Sequence, residues 1–264
     1  MTTASLTARV TRLEHESRRP VRLPTLDPVQ LAERAGVVPD PWQRDVLMSR
    51  SPRLLLNCAR QSGKSTIVAL LNVHTALYHP DSLCLMVSPT QRQSGELFKK
   101  AAQIYRDLLR PVPAAGETAL TLTLENGSRI VSLPGQDDGT IRGYSGVRLL
   151  SIDEAARVST QLYVSVRPTL AVSGGRLVAM STPFGTRGWW YEAWRSDEPW
   201  ERYEIPATMC PRISREFLAE ERETMGAWWF EQEYMCQFKD AQSAAFARED
   251  VDGAFREEVQ TWEL

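Results

Sequence analysis

Arg53-Leu-Leu-Leu-Asn-Cys-Ala-Arg-Gln-Ser-Gly-Lys-Ser65 runs directly into Thr66-Ile-Val-Ala-Leu-Leu-Asn-Val-His-Thr-Ala-Leu-Tyr78. The first six residues form an apolar run of strand length, and the residues after Ser65 repeat at helical spacing. Between them, Cys58 to Ser65 fits the phosphate-binding loop pattern GxxxxGK[ST], except that Cys58 stands where the first glycine is usual. The chemistry lies in the remainder. Backbone N–H groups around Gly63, contributed by Arg60, Gln61, Ser62 and on to Thr66, can form an anion nest at a helix start. Lys64 can reach β and γ phosphates, and Ser65 can ligate Mg²⁺.

Outward from this unit the chain alternates short apolar runs with amphipathic stretches. Strands are expected at Arg53 to Cys58, Leu83 to Val87, Val147 to Ile152 and Arg176 to Ser181, a parallel sheet with crossover helices. A helix is expected from Gln91 to Arg110, with Leu97, Ala101, Ile104 and Leu108 on its apolar face and Arg92, Lys99, Lys100, Arg106 and Arg110 on the other side. That basic face is a candidate DNA or neighbour contact, although a solvated face is the plainer reading. Ala119 to Leu124 and Arg129 to Leu133 flank Asn126-Gly127, which marks an inserted β-hairpin.

The 264 residues amount to ~1.8 domains by length. With 42% hydrophobic and 24% charged residues, a disordered or fibrous chain is excluded. The net charge of −2 supplies no global argument for a nucleic-acid partner. Cys58, Cys84, Cys210 and Cys236 form no CxxC pair, so neither zinc nor a disulfide framework is expected. Neither a signal-peptide core nor a membrane-length apolar run occurs, and an intracellular protein that is not secreted is expected. Residues 1–26 read as a basic arm, 27–187 as the main α/β core and 188–264 as a smaller C-terminal subdomain. Seven of the eight tryptophans fall in that last part, and they read as its core rather than as a stacking platform for bases.

A phosphate-binding loop needs further groups. Val147 to Glu154 is a mostly apolar strand ending in two carboxylates, so that Asp153 can hold the Mg²⁺ shell while Glu154 polarises an attacking water. Taken alone, Asp153-Glu154 serves equally as a helix cap. The amide of Gln43, in Asp40-Pro-Trp-Gln43, can pair with adenine, and a helix-start glutamine in solvent reads equally well. Ser181 and Thr182, at the carboxyl end of a strand, can sense a γ-phosphate or simply begin a turn. Arg60, and Arg142 in Gly139-Thr-Ile-Arg-Gly-Tyr144, are candidates to stabilise transition-state charge.

Trp42-Gln43, Cys58 to Ser65, Ser88-Pro-Thr90, Thr140-Ile-Arg-Gly143, Ile152-Asp-Glu154, Ser181-Thr-Pro183 and Phe230 to Phe238 together resemble, in order and spacing, the ATPase region of the large terminase subunit of tailed bacteriophages. The resemblance spans roughly residues 40 to 240. It implies an additional-strand, RecA-like P-loop NTPase with a lid subdomain, hydrolysing ATP with Mg²⁺ and pumping double-stranded DNA into a capsid. It further implies a homo-oligomeric ring, expected as a pentamer, together with a portal protein and a small terminase subunit as partners in the host cytoplasm. Carried over by position, Lys64 and Ser65 match the Walker A groups, Asp153 the Walker B aspartate and Glu154 the catalytic glutamate. Thr182 falls in the coupling motif, Gln43 in the adenine-contacting motif, Arg142 at a trans-acting arginine and Arg60 at the P-loop arginine. A full large terminase continues into a nuclease, whereas this chain stops about 25 residues after Phe238, so no DNA cleavage is expected. The DNA contact is expected to be blind to sequence. A helicase-like translocase outside packaging and a non-hydrolysing, ATP-ordered assembly module are the alternatives.

Overall fold

The computed structural model describes residues 25–135, 141 and 143–240. Most of the expected basic arm, and Arg142, lie outside the described residues.

Eight strands form one sheet in the order β3-β4-β5-β2-β6-β7-β1-β8. They are β1 (Arg53–Cys58), β2 (Leu83–Ser88), β3 (Ala114–Glu117), β4 (Thr121–Leu124), β5 (Arg129–Pro134), β6 (Val147–Ile152), β7 (Arg176–Ser181) and β8 (Glu201–Ile205). The six from β5 to β8 in that order run parallel, while β3 and β4 pair antiparallel at one edge. The sheet is thus α/β and mainly parallel, with β7 inserted between the phosphate-loop strand β1 and the acid-bearing strand β6, as an additional-strand architecture requires.

Both faces are covered, and for that reason the central strands read as continuous apolar runs. Leu54, Leu56 and Cys58 of β1 face the layer of α1 (Pro28–Arg34), α2 (Pro41–Met48), α3 (Lys64–Tyr78) and α4 (Gln91–Asp107). Leu55 points the other way, towards α5 (Thr160–Val166) and α6 (Trp189–Arg195). A smaller cluster joins Ala59 and Ala207 to Leu218 of α7 (Arg215–Met225) and Phe230 of α8 (Ala227–Glu233).

Four features differ from, or decide between, the sequence expectations. Helix α4 ends at Asp107 rather than Arg110, because Leu109 and Arg110 turn into left-handed backbone conformations (φ 62° and 52°). The short strand β3 (Ala-Ala-Gly-Glu) joins the hairpin as a third strand. The charged segment Glu201-Arg-Tyr-Glu-Ile205 joins the main sheet as β8, and Trp189, Trp190 and Trp200 are buried in the main core. The region from residue 188 onward therefore shares its first part with the main sheet. On the basic face of α4, Lys99 pairs with Glu96 (2.8 Å) and Arg106 with Glu117 (3.2 Å), so two of its five cations are locally compensated.

Candidate active site

Because β7 lies between β1 and β6, three strand ends converge: the loop after β1, Asp153-Glu154 after β6 and Thr182 after β7. The carboxyl ends of parallel strands are where ligands bind in such sheets. A cavity of about 770 Å³ opens there, lined by Arg60 through Thr66, Pro89, Thr90, Gln93, Lys100, Glu154, Arg157 and Thr182. A groove of similar volume, lined in part by Leu26, His74, Arg148 and Arg176, lies at the opposite ends of the strands.

The loop owes its shape to two left-handed residues, Gln61 (φ 58°) and Gly63 (φ 92°). A Cβ on Gly63 would lie 2.8 Å from Gln43 Nε2, so the glycine is needed for both conformation and space. Cys58 has no such requirement. It is fully buried among apolar groups, and burial pushes its thiol up to about 12, so it serves as a small hydrophobe.

Lys64 opens α3 and is buried to 8% exposure, with Nζ 3.3 Å from Glu154 Oε1. Burial works against its charge, but Glu154 and Asp153 outweigh that and hold it above the ordinary lysine value. Asp153 is 7% exposed, and burial together with neighbouring Glu154 raises its carboxyl to about 6. Glu154 sits in a left-handed conformation (φ 48°, ψ 46°), and its N–H donates to Asp153 Oδ1 at 2.9 Å. Its carboxylate goes to Lys64 and caps no helix turn, which removes the helix-cap reading for Glu154. A non-glycine residue held in that region commonly marks a site where geometry matters more than local comfort.

Buried Asn72 of α3 donates to Ser151 Oγ (2.8 Å), tying the phosphate-loop helix to β6. Ser181 Oγ accepts from Ala156 N (3.2 Å), tying β7 to the turn after Glu154. These two contacts fix the relative positions of the three strand ends.

Gln43 is not a solvent-facing helix-start residue. It is 3% exposed; its Oε1 accepts from Asp40 N (2.9 Å) and its Nε2 donates to the Ser62 carbonyl (3.2 Å). In this conformation the amide braces the loop rather than presenting a free edge to a base. Arg60 lines the cavity, but its Nε donates to Glu233 Oε2 at 2.5 Å, which holds the guanidinium charged. Its backbone N–H donates to the Glu233 carbonyl (3.0 Å). Arg142 lies outside the described residues.

Three groups escaped sequence reasoning. Arg212 donates through both terminal nitrogens to Asp40 (3.0 and 2.8 Å) and also to the Ser62 carbonyl (3.2 Å), so a residue far along the chain clamps the loop. Buried Glu233 receives Arg60, and Arg157 joins the cavity wall. Asp40 and Gln43 marked the helix start, but only the tertiary fold brings Arg212 to them.

The set can hold a phosphate chain, with loop amides and Lys64 on the anion. It can also hold a divalent cation: Asp153 is a buried carboxylate short of compensation, and Ser65 lies in the first turn of the adjoining helix. Among the described residues no group of three or more His, Cys, Asp or Glu forms a metal cage. That donor set fits an ion completing its shell with phosphate oxygens and water, as Mg²⁺ does.

A family model described as terminase large subunit, T4likevirus-type, N-terminal, matches residues 55–252. Among solved structures, the ATPase domain of the Thermus phage P74-26 large terminase is 23% identical with a TM-score of 0.72, covering 83% of this chain and 100% of that one. The bacteriophage HK97 large terminase is 16% identical (TM-score 0.62; 76% of this chain, 50% of that one). The large terminase of another thermophilic bacteriophage, in complex with ADP, is 13% identical (TM-score 0.62; 75% and 53%). The chain therefore spans about half the length of these last two proteins, and at these identities the likeness is one of fold. No helix among the described residues is long and apolar enough to cross a membrane. With 198 of its 264 residues inside the family model, the chain belongs to the terminase large subunit family, in its N-terminal part.

Proposed function

We propose that this chain is the ATP-hydrolysing motor part of a viral DNA-packaging terminase, acting on double-stranded DNA without regard to sequence. The observation that carries this reading is the convergence of Lys64 and Glu154 on one cavity at the strand ends, with Asp153 buried directly behind Glu154. The loop amides and Lys64 hold the β and γ phosphates of ATP, and Ser65 with Asp153 would hold Mg²⁺. Bound Mg²⁺ would neutralise charge developing on the phosphate oxygens. Glu154, released from Lys64 when phosphate claims that lysine, orients the attacking water and accepts its proton. Gln43 keeps the Ser62 peptide fixed, and Thr182 contacts the terminal phosphate from β7.

Arg60 stays on Glu233 until a phosphate competes for it, and Arg142 acts across the junction with the next subunit of a ring. Copies of this chain, the portal, the small terminase subunit and DNA are the partners of that assembly, a pentamer in this reading, working in the host cytoplasm. Residues 27–187 form the motor core, to which residues 188–205 add β8 and three core tryptophans, and the helices after β8, together with the segment to Phe238, form its lid. Family membership weighs against the helicase and assembly-module alternatives.

The test is steady-state phosphate release by the full chain with Mg²⁺, with and without blunt duplex DNA. Turnover of ATP that depends on Mg²⁺ and vanishes in Lys64→Ala is expected. Absence of turnover at all protein concentrations, with and without DNA, would overturn the reading.

A further inference from the structure

Four cations line the cavity: Arg60, Lys64, Lys100 and Arg157. Arg60 is held by Glu233 and Lys64 by Glu154. Arg157 forms no ion pair with any carboxylate among the described residues. Its guanidinium instead lies over the ring of Phe184, 4.1 Å from the centroid. Phe184 is 43% exposed and directly follows Ser181-Thr182-Pro183.

Arg157 is also tethered to Glu154. It closes the 3-10 turn Ala155–Arg157, its N–H donates to the Glu154 carbonyl (2.8 Å), and the next carbonyl, that of Val158, accepts from Trp189 Nε1 (2.9 Å). The side chain therefore leaves a rigid base and borders two hollows, the nucleotide-sized cavity and a smaller one of about 410 Å³ shared with Phe184 and Arg187. An aromatic face holds a guanidinium without neutralising it, and more weakly than a bidentate, charge-assisted pair with phosphate. A triphosphate places more negative charge in this cavity than a diphosphate does, whereas Lys64 and Arg60 already have acids to share.

We propose that Arg157 is a further nucleotide-contacting residue, which leaves the Phe184 ring for the terminal phosphate of ATP in its own subunit and so distinguishes ATP from ADP. This inference rests on the motor reading. When the guanidinium leaves, Phe184 loses its cover at the end of β7, which makes the pair a local reporter of the phosphate.

Calorimetric titration of the full chain with Mg²⁺ and ATP-γ-S, and separately with ADP, tests it. Arg157→Ala is expected to weaken ATP-γ-S binding about tenfold or more, the size of one charge-assisted hydrogen bond, and ADP binding by less than about threefold. Arg157→Lys should recover part of the loss, and Phe184→Leu should retain the preference for ATP-γ-S. Equal weakening for both nucleotides would mean that Arg157 only supports the turn, and an unchanged preference would mean that it contacts no phosphate; either overturns the proposal. Should Arg157→Ala fail to fold, Arg157→Gln keeps the side-chain stem and gives the same contrast. A parent chain that binds neither nucleotide overturns the motor reading and this inference together; a parent preference that survives in Arg157→Ala overturns this inference alone.

Discussion

Cys58 occupies a position where phosphate-binding loops usually carry glycine, and its surroundings explain why a thiol is tolerated. It is the last residue of β1, its backbone needs no positive φ, and its side chain fills the core under the loop. Replacing it with the usual glycine is therefore expected to lower stability by about 1–2 kcal/mol, read from denaturant unfolding, without raising nucleotide affinity. Its thiol also stays protonated well above neutral pH, because burial raises it to about 12, as it does for Cys84. Cys210 and Cys236 are buried and shifted upward too. Native protein at pH 8 should accordingly show almost no reaction with a thiol reagent, and full reaction of all four cysteines once unfolded; rapid native labelling of Cys58 would contradict its placement.

At the scale of elements, the loop after β1 is held from behind by residues remote in sequence. The Ser62 carbonyl accepts from Gln43 on α2 and from Arg212 just ahead of α7, while Asp40 receives both terminal nitrogens of Arg212. The peptide between Ser62 and Gly63 is thereby anchored through its carbonyl. Arg212 is half exposed while Asp40 is nearly buried, so the pair should be worth modestly more than a surface bridge. A double-mutant cycle with Asp40→Asn and Arg212→Ala should give a coupling energy of about 1 kcal/mol by denaturant unfolding. Additive effects of the two changes would remove the clamp from the account.

This element also shows what the sequence could and could not disclose. Strand, loop and helix from Arg53 to Tyr78 are contiguous, and their apolar periodicity and Gly63-Lys-Ser65 are local signals, so they were legible at once. Asn126-Gly127 announced its hairpin for the same reason: Gly127 adopts φ 82°, a conformation suited to glycine. By contrast, β8 carries three charges in five residues and sits at a sheet edge, where β1 is its one partner strand among the described residues; no period-2 apolar pattern marks it. The four residues of β3 have low strand propensity and pair only because β4 is already in place. Asp153, Glu154, Lys64 and Thr182 were named from motifs; the fold brings Glu154, Lys64 and Thr182 around one cavity and buries Asp153 beside Glu154. Arg212, Glu233 and Arg157 were not, because their partners lie across the tertiary structure or, for Arg157, on an aromatic ring.

Across the whole molecule, the chain returns to its own phosphate loop after leaving the sheet. Asn57 donates to the Cys236 carbonyl (2.8 Å), Arg60 to Glu233 through both backbone and side chain, and Ala207 to the Tyr234 carbonyl (2.7 Å). The segment just before Phe238 is thus bonded to Arg60 of the cavity wall and to Asn57 of the strand beneath the loop. Cys236 holds a left-handed conformation (φ 60°) within that staple. The loop and the C-terminal helices are therefore joined by direct hydrogen bonds.

The central claim is that this cavity hydrolyses ATP with Glu154 positioning the water. It is tested most directly by measuring ATP turnover and ATP-γ-S affinity side by side for the parent chain and Glu154→Gln. The expected result is turnover reduced by about a hundredfold or more, the scale of a lost general base, with affinity within about threefold of the parent. Turnover within a few-fold of the parent, with binding intact, would contradict it.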